Sequence, residues 1–420
     1  MNKMTFHPGR VSGTITLPSS KSQAHRALIC AALAGDSRVE RVDISNDISA
    51  TVDALKSLGA ELEFLPERRL CTVGAPVKRN IDAGEINCRE SASALRFLIP
   101  IAAALGDHAI FDGEGRLPER TTTLYEPLLE SRGVRLRYPS DGSFLPLEVS
   151  GRIIRGGDFE LRGDISSQFV TGLMLALINV DGESRIIPTT KLESRPYADM
   201  TADVLRAFGA DVRSDGEIYT LCGTRLHSRE YTVEGDCSQA AFFVAAAAIG
   251  GEVKLDGVNP STLQGDFRIF EIARGFGASV EVGGDYVKIS RGNLHAQDID
   301  AADIPDLVPA IAVIAALAEG RSRIYNAGRL RLKESDRIAS TAALLKSLGA
   351  DVVETDDGLI INGRESLAGG EVNSYRDHRI AMAAAAASPG CKGDVTVDDI
   401  SCTDKSYPGF VDDWSSLIKK

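Results

Sequence analysis

The chain has 420 residues, 43% apolar and 25% charged, with a net charge of −12. That balance describes an ordinary globular protein with chain enough for two or three domains of about 100–200 residues each. The acidic excess argues against general nucleic-acid or anionic-membrane binding, where a basic surface supplies the affinity, and it requires any anionic ligand to meet a local cationic cluster.

Seven cysteines occur, Cys30, Cys71, Cys88, Cys222, Cys237, Cys391 and Cys402, none in C-x-x-C spacing, so no metal site is expected. An odd, scattered set predicts reduced thiols and a cytoplasmic setting. The opening MNKMTFHPGR lacks the apolar h-region of a secretory signal. The longest apolar run, Leu307 to Ala318, is too short for a bilayer span of about 20 residues.

Two landmarks recur along the chain. The first is an Ala-rich helical run that stops at a glycine: RALICAALAG, LIPIAAALG, GLMLALINVDG, FFVAAAAIG, AIAVIAALAEG and IAMAAAAASPG. The terminal glycines are Gly35, Gly106, Gly182, Gly250, Gly320 and Gly390. Divergent sequence at a spacing of roughly seventy residues indicates duplication of one α/β unit. FFVAAAAIG is apolar all round, so these helices are expected inside each domain, with sheets around them. The second landmark is a helix ending in glycine and followed by a strand, with Gly59, Gly133, Gly209, Gly277 and Gly349 as the left-handed stop. Alternation in Val134, Leu136 and Tyr138, with Arg135 and Arg137 between, reads as a half-buried strand.

The second landmark has five copies, because the sixth helix, about Phe410 to Leu417, nearly ends the chain. The strand VSGTITL near the N-terminus is expected to complete the sixth unit. Six units then divide into two domains of three, residues 17–233 and residues 1–16 plus 234–420.

Chemistry-bearing residues stand just before the Ala-rich helices: Ser19-Ser20-Lys21-Ser22 with Arg26, Arg89-Glu90-Ser91 with Arg96, Ser166-Ser167-Gln168, Asp236-Cys237-Ser238-Gln239, Asp303-Ile304-Pro305-Asp306 and Arg376-Asp377-His378-Arg379. Capping explains Ser and Asp at helix starts. It does not explain Lys21, Arg96 and Arg379, since the macrodipole disfavours a cation there. Free N–H groups plus a cation make an anion site. Arg116, Arg120, Lys405 and the run Arg331-Leu332-Lys333-Glu334-Ser335-Asp336-Arg337 repeat the pattern before the second helices. If the units are arranged alike, these mouths converge on one cleft.

At these positions the chain resembles the 3-phosphoshikimate 1-carboxyvinyltransferase (EPSP synthase) family. The resemblance rests on Ser19-Ser20-Lys21-Ser22 with Arg26, RLKESDRI over 331–338, Asp377-His378-Arg379 and Lys405-Ser406-Tyr407-Pro408, in order along essentially the whole chain. It implies an α/β fold of two domains, each of three βαβαββ repeats with inward helices. It implies transfer of the enolpyruvyl group of phosphoenolpyruvate to the 5-hydroxyl of shikimate 3-phosphate, with no metal or organic cofactor, in a cytoplasmic protein expected to be a monomer. By position, Lys21 matches the lysine that touches both substrates. Ser22, Arg26, Ser166, Ser167, Gln168, Ser194, Tyr197 and Lys333 match shikimate-phosphate contacts. Arg120, Arg337, Arg379 and Lys405 match the phosphoenolpyruvate cations. Asp306 and Glu334 match the carboxylates beside the reacting carbons, and Asp47 matches a further acid.

The chemistry suits these types. Arginine forks bind phosphate and carboxylate bidentately, while lysine acts as a point charge. A carboxylate among cations stays ionised, which suits Asp306 as a base; a lysine among cations loses its proton more readily, which suits Lys21 as an acid. Glu334 is placed to exchange a proton with the methylene carbon. Helix capping in DIPD would equally account for Asp306, and i,i+3 pairing with Arg337 for Glu334. His378 reads as structural.

Four positions depart from the family pattern. Ala92 replaces a glycine lining the phosphoenolpyruvate pocket, and its methyl group predicts weak sensitivity to glyphosate. Glu90 brings a negative charge, with Arg89 or Arg96 as expected partners. Thr121 stands for a usual proline, and Arg329 for an asparagine. The sister family acting on UDP-N-acetylglucosamine is the nearest alternative, but GEGRLPERTTTL lacks its loop cysteine and Lys21-Ser22 replaces its Lys-Asn. A ring-shaped nucleic-acid clamp would need basic residues along helix faces, where this chain has alanines.

Overall fold

The computed structural model describes residues 2–418. Twelve α-helices run through the described residues as six pairs. They are α1 (Lys21–Ala34) and α2 (Asn46–Ser57), α3 (Ala92–Leu105) and α4 (Glu126–Glu130), α5 (Ser167–Leu177) and α6 (Arg195–Ala207). The series continues with α7 (Cys237–Gly250) and α8 (Arg268–Phe276), α9 (Val308–Ala315) and α10 (Arg337–Ser347), α11 (His378–Ala387) and α12 (Phe410–Leu417). The chain forms two compact units, Lys21–Val233 and Met1–Ser20 with Glu234–Lys420, called here the continuous and discontinuous units. Residues 17–20 stay with the discontinuous unit. Leu17 N–H donates to Asp256 O at 2.9 Å, and Ser20 N–H to Glu234 O at 2.7 Å.

The odd-numbered helices are the Ala-rich runs. Their side chains are buried almost throughout, from Phe242 to Ala248 in α7 and from Val308 to Ala315 in α9, so they form the cores rather than a surface layer. Small side chains let such helices pack closely. Gly172 of α5 is one case. A Cβ there would run into the Arg96 carbonyl of α3 and the Tyr125 hydroxyl, which itself donates to Arg96 O at 2.6 Å.

Among the described residues, five four-stranded sheets and one of three strands lie around these helices. In each four-stranded sheet the first pair is parallel and the next two pairs antiparallel. Asp158–Leu161, Glu183–Pro188, Tyr219–Cys222 and Val212–Ser214 are one example. In three of these sheets the inner helix supplies the crossover that a parallel pair needs; in all five the antiparallel pair that follows the outer helix is a local hairpin. The glycines at the outer-helix ends behave as the sequence implies: Gly59, Gly133, Gly209, Gly277 and Gly349 have φ of 87°, 85°, 90°, 105° and 84°. The strand Arg135–Arg137 and its flanking Val134 show the predicted alternation, with Val134 and Leu136 buried and Arg135 and Arg137 exposed.

Both units recruit a strand from far along the chain. In the continuous unit, Glu230–Thr232 pairs in parallel with Ser37–Glu40 of the first repeat. In the discontinuous unit the N-terminal segment is used twice. Val11–Thr16 pairs in parallel with Gly251–Asp256 and opens the fourth repeat. Met4–Phe6 pairs antiparallel to Val395–Val397 and completes the sixth. The expectation that VSGTITL completes the sixth unit is therefore corrected: the shorter strand does so. Phe6 meets Trp414 edge-on at 5.7 Å, which ties that strand to an aromatic cluster with Phe243, Tyr407 and Phe410.

Gly172→Ala tests the close packing of α3 on α5. The added methyl forces the helices apart and should cost about 1–3 kcal/mol, seen as a lower urea midpoint; an unchanged midpoint would show the approach to be slack.

Candidate active site

In the discontinuous unit three helix starts carry the charged residues. Asp306 lies in the 3-10 turn Pro305–Leu307 before α9. Glu334 precedes α10, whose N-cap is Asp336 and whose first residue is Arg337. Asp377 caps α11, its side chain accepting from Arg379 N–H at 3.0 Å. The three starts meet at the Arg337 guanidinium, which is 1% exposed. Its Nε donates to Asp377 Oδ2 at 2.9 Å, its Nη1 to Asp306 Oδ1 at 2.8 Å and its Nη2 to Glu334 Oε2 at 2.6 Å. Ser335 Oγ donates to the same Asp377 oxygen at 3.0 Å.

Asp306 is the point of convergence. Its Oδ2 accepts from Arg379 Nη2 at 2.9 Å, and Lys333 Nζ stands 4.0 Å from its Oδ1. Burial works to raise its proton affinity, but Arg379, Lys333 and Arg337 outweigh burial and hold the carboxyl well below the usual carboxylate range. On Arg337 burial works against the charged form, while Asp377, Glu334 and Asp306 reverse the sign and raise its proton affinity further. The N-caps at that turn and at α9, Ile304 and Leu307, make no side-chain cap. The i,i+3 pairing of Glu334 with Arg337 is present, alongside the other contacts of Arg337.

Lys405 ends the 3-10 helix Ile400–Lys405 and is 5% exposed. Two tethers hold its neighbourhood. Gln239 Nε2 donates to Ser406 Oγ at 3.1 Å, and Asp399 caps the start of the helix. Asn2 N–H reaches Asp399 Oδ1 at 3.1 Å, so the N-terminal strand also braces this segment. His378 is buried beside Asp377. Arg329 donates to the Ala302 carbonyl.

In the continuous unit Lys21 opens α1, and its Nζ lies 2.7 Å from Asp47 Oδ2 in the first turn of α2. Within its own unit Lys21 thus pairs with an acid. Arg26 is buried over the Phe97 ring at 5.1 Å, and burial draws its pKa down to about 10. It donates to Thr201 Oγ1 at 2.8 Å, Ser22 O at 2.6 Å and Tyr197 O at 2.9 Å. It therefore fixes the backbone that carries Ser22 and Tyr197.

Ser166 caps α5, followed by Ser167, 4% exposed, and Gln168. Gln168 Nε2 donates to Ser93 Oγ at 3.0 Å and its Oε1 accepts from Arg96 Nη1 at 2.8 Å. Arg96 also donates to Thr121 O at 3.0 Å, beside Arg120, and stacks on Phe169 at 4.8 Å. Ser194, at the start of α6, adopts a left-handed φ of 53°. Ala92 begins α3 behind its cap Ser91. Arg89 pairs with Asp53 at 2.7 Å.

Two residues outside the sequence-based site set take part in its contacts: Asp377 forks Arg337, and Arg96 links Gln168 to the Arg120 loop. Asp47, the further acid expected from the sequence, holds Lys21. The signal for Arg96 was its charge near a helix start; Asp377 read only as a cap. Among the described residues no group of three or more His, Cys, Asp or Glu side chains is placed to hold a metal ion, and no helix is long and apolar enough to cross a membrane.

The sequence model of EPSP synthase (3-phosphoshikimate 1-carboxyvinyltransferase) matches residues 6–414. The 3-phosphoshikimate 1-carboxyvinyltransferase of Clostridium novyi is 41% identical over 435 residues, spanning 99% of this chain and 99% of the relative. That of Clostridium perfringens is 40% identical over 421 residues, spanning 99% and 98%. Among solved structures, an EPSP synthase from Acinetobacter baumannii superposes with a TM-score of 0.81 at 27% identity, covering 99% of this chain and 98% of that one. On fold, sequence and full-length coverage together, this chain belongs to the EPSP synthase family.

Proposed function

We propose that this protein transfers the enolpyruvyl group of phosphoenolpyruvate to the 5-hydroxyl of shikimate 3-phosphate and releases inorganic phosphate, a step of aromatic amino acid biosynthesis. The observation that carries the reading is the cationic cluster around Asp306, found in a chain that matches the family from end to end. In this reading Arg379, Arg337 and Lys405 of the discontinuous unit, with Arg120, hold the anionic groups of phosphoenolpyruvate. Ser22, Ser166, Ser167, Gln168, Ser194 and Tyr197, with Arg26 behind them and Lys333, serve shikimate 3-phosphate. Ala92 lines the donor pocket.

The reaction is an addition followed by an elimination. The 5-hydroxyl oxygen bonds to C2 of phosphoenolpyruvate while the methylene C3 gains a proton, giving a tetrahedral intermediate. The bond from C2 to the phosphate oxygen then breaks, the methyl group loses a proton, and phosphate departs with that oxygen. Two proton-transfer groups serve both halves. Asp306, kept ionised by its cations, accepts the hydroxyl proton. Glu334, 17% exposed at its side chain, exchanges protons at C3. Lys21 supplies positive charge where charge develops. The arginines neutralise two substrates that each carry phosphate and carboxylate, whose repulsion would otherwise oppose their approach.

Phosphate release from phosphoenolpyruvate should require shikimate 3-phosphate. Release with UDP-N-acetylglucosamine in its place would assign the chain to the sister reaction. Lys21→Met should lower turnover by about 10²–10³-fold, the scale of a lost electrostatic contact, with an unchanged far-UV circular dichroism spectrum. Near-wild-type turnover would remove Lys21 from the mechanism.

A further inference from the structure

In the function proposed above Ser194 serves shikimate 3-phosphate, and its backbone takes a form that serine seldom adopts. Its φ is 53° and its ψ 39°, in the left-handed region, and it is 4% exposed. An L-residue there brings its Cβ close to the following carbonyl, so the conformation persists only where the surroundings impose it. A helix cap does not impose it, since Ser194 makes no side-chain cap at the start of α6.

The constraint comes from one hairpin of the same unit. Its strands Val212–Ser214 and Tyr219–Cys222 pair antiparallel, with Ser214 opposite Tyr219. Asp215 stiffens the turn between them, its Oδ1 accepting from Glu217 N–H at 2.9 Å and Ile218 N–H at 2.8 Å. From this turn the Gly216 carbonyl accepts from Arg195 Nη1, on the residue that follows Ser194. From the adjoining strand the Tyr219 hydroxyl donates to Asp199 Oδ1 at 2.6 Å, while Arg195 Nε donates to Asp199 Oδ2 at 3.3 Å. Both oxygens of Asp199 are thus held, and hydrogen bonds to a carboxylate are of the stronger kind. The Tyr219 side chain is fully buried, which fixes the direction of its hydroxyl. Two further bonds secure the same segment. Arg26 Nη2 donates to Tyr197 O at 2.9 Å, and Glu193 N–H to Gly163 O at 3.1 Å.

We propose that Tyr219 is a positioning residue for the acceptor: through Asp199 and Arg195 it holds the first turn of α6, so that Ser194 keeps the left-handed backbone from which its hydroxyl meets shikimate 3-phosphate. The proposal rests on the function given above. Its effect falls on the acceptor, because Arg337, Arg379 and Lys405, assigned to the donor, belong to the other unit.

The test is the dissociation constant of shikimate 3-phosphate, by titration calorimetry on the full chain, in the wild type, Tyr219→Phe, Ser194→Ala and the double variant. Tyr219→Phe should weaken binding ~3–10-fold, the scale of one lost hydrogen bond. In Ser194→Ala the hydroxyl to be placed is gone, so adding Tyr219→Phe should change the constant by less than about twofold. A general loosening of the unit would instead multiply the two losses. Equal weakening by Tyr219→Phe in both backgrounds overturns the proposal, as does unchanged binding in Tyr219→Phe alone. In turnover, the KM for shikimate 3-phosphate should rise in Tyr219→Phe while that for phosphoenolpyruvate stays within about twofold. An equal rise in both marks a structural role and overturns the proposal. Asp199→Asn, at a partly exposed position, keeps the test open should Tyr219→Phe fail to fold. It removes the charge that Tyr219 and Arg195 share, and should weaken acceptor binding with the same selectivity; unaltered binding counts against the proposal. A wild type that releases no phosphate from the two substrates removes the function and the proposal together, whereas an active wild type whose variants bind the acceptor normally overturns the proposal alone.

Discussion

A guanidinium with almost no access to water cannot remain charged without partners, and Arg337 has three carboxylates around it. Removing one partner of such a buried network typically costs about 3–5 kcal/mol, because the charge left behind is uncompensated. The constraint reaches well beyond one residue. Asp377 ties Arg337 to α11, Asp306 ties it to the start of α9, and Glu334 holds the loop that leads into α10. Two successive repeats, the fifth and the sixth, are thereby locked at three helix starts. Arg379 and Lys333 then complete the ring of cations around Asp306. The site of this unit is a continuation of its core, and its preorganisation follows from the cost of leaving any member unpaired.

The same contacts bear on chemistry. Asp306 and Glu334 pair with the cations that, under the proposed function, the donor would also meet. A donor phosphate or carboxylate would share Arg337 and Arg379 with them. That sharing loosens the grip on Asp306 and makes it a stronger base than it is alone. Under the proposed function, binding and base activation would then be two consequences of one set of charges, by which a carboxylate held so far below its usual range would still serve a hydroxyl.

Much of this architecture was legible in the sequence, for reasons that are local. An Ala-rich helix closed by glycine and an outer helix stopped by a left-handed glycine are properties of short segments, and the five stop glycines take the conformation that their positions imply. Cations at helix starts also read locally, since they contradict the macrodipole. What escaped is non-local. Met4–Phe6 and Val11–Thr16 look alike as strands, and only the tertiary neighbours, Val395–Val397 for one and Gly251–Asp256 for the other, decide which repeat each joins. Asp47 as the partner of Lys21, and Asp377 as the fork on Arg337, depend on side chains brought together across 26 and 40 positions.

The central claim is that these carboxylates run an addition and an elimination through a methyl-bearing intermediate. Turnover in deuterium oxide tests it most directly. If C3 of the donor takes a solvent proton and later returns one of three, the vinyl group of the product, and of recovered phosphoenolpyruvate, must carry deuterium by proton NMR. A product formed at full turnover with an undeuterated methylene would mean that C3 never became a methyl group, and the roles given to Asp306 and Glu334 would fall with it.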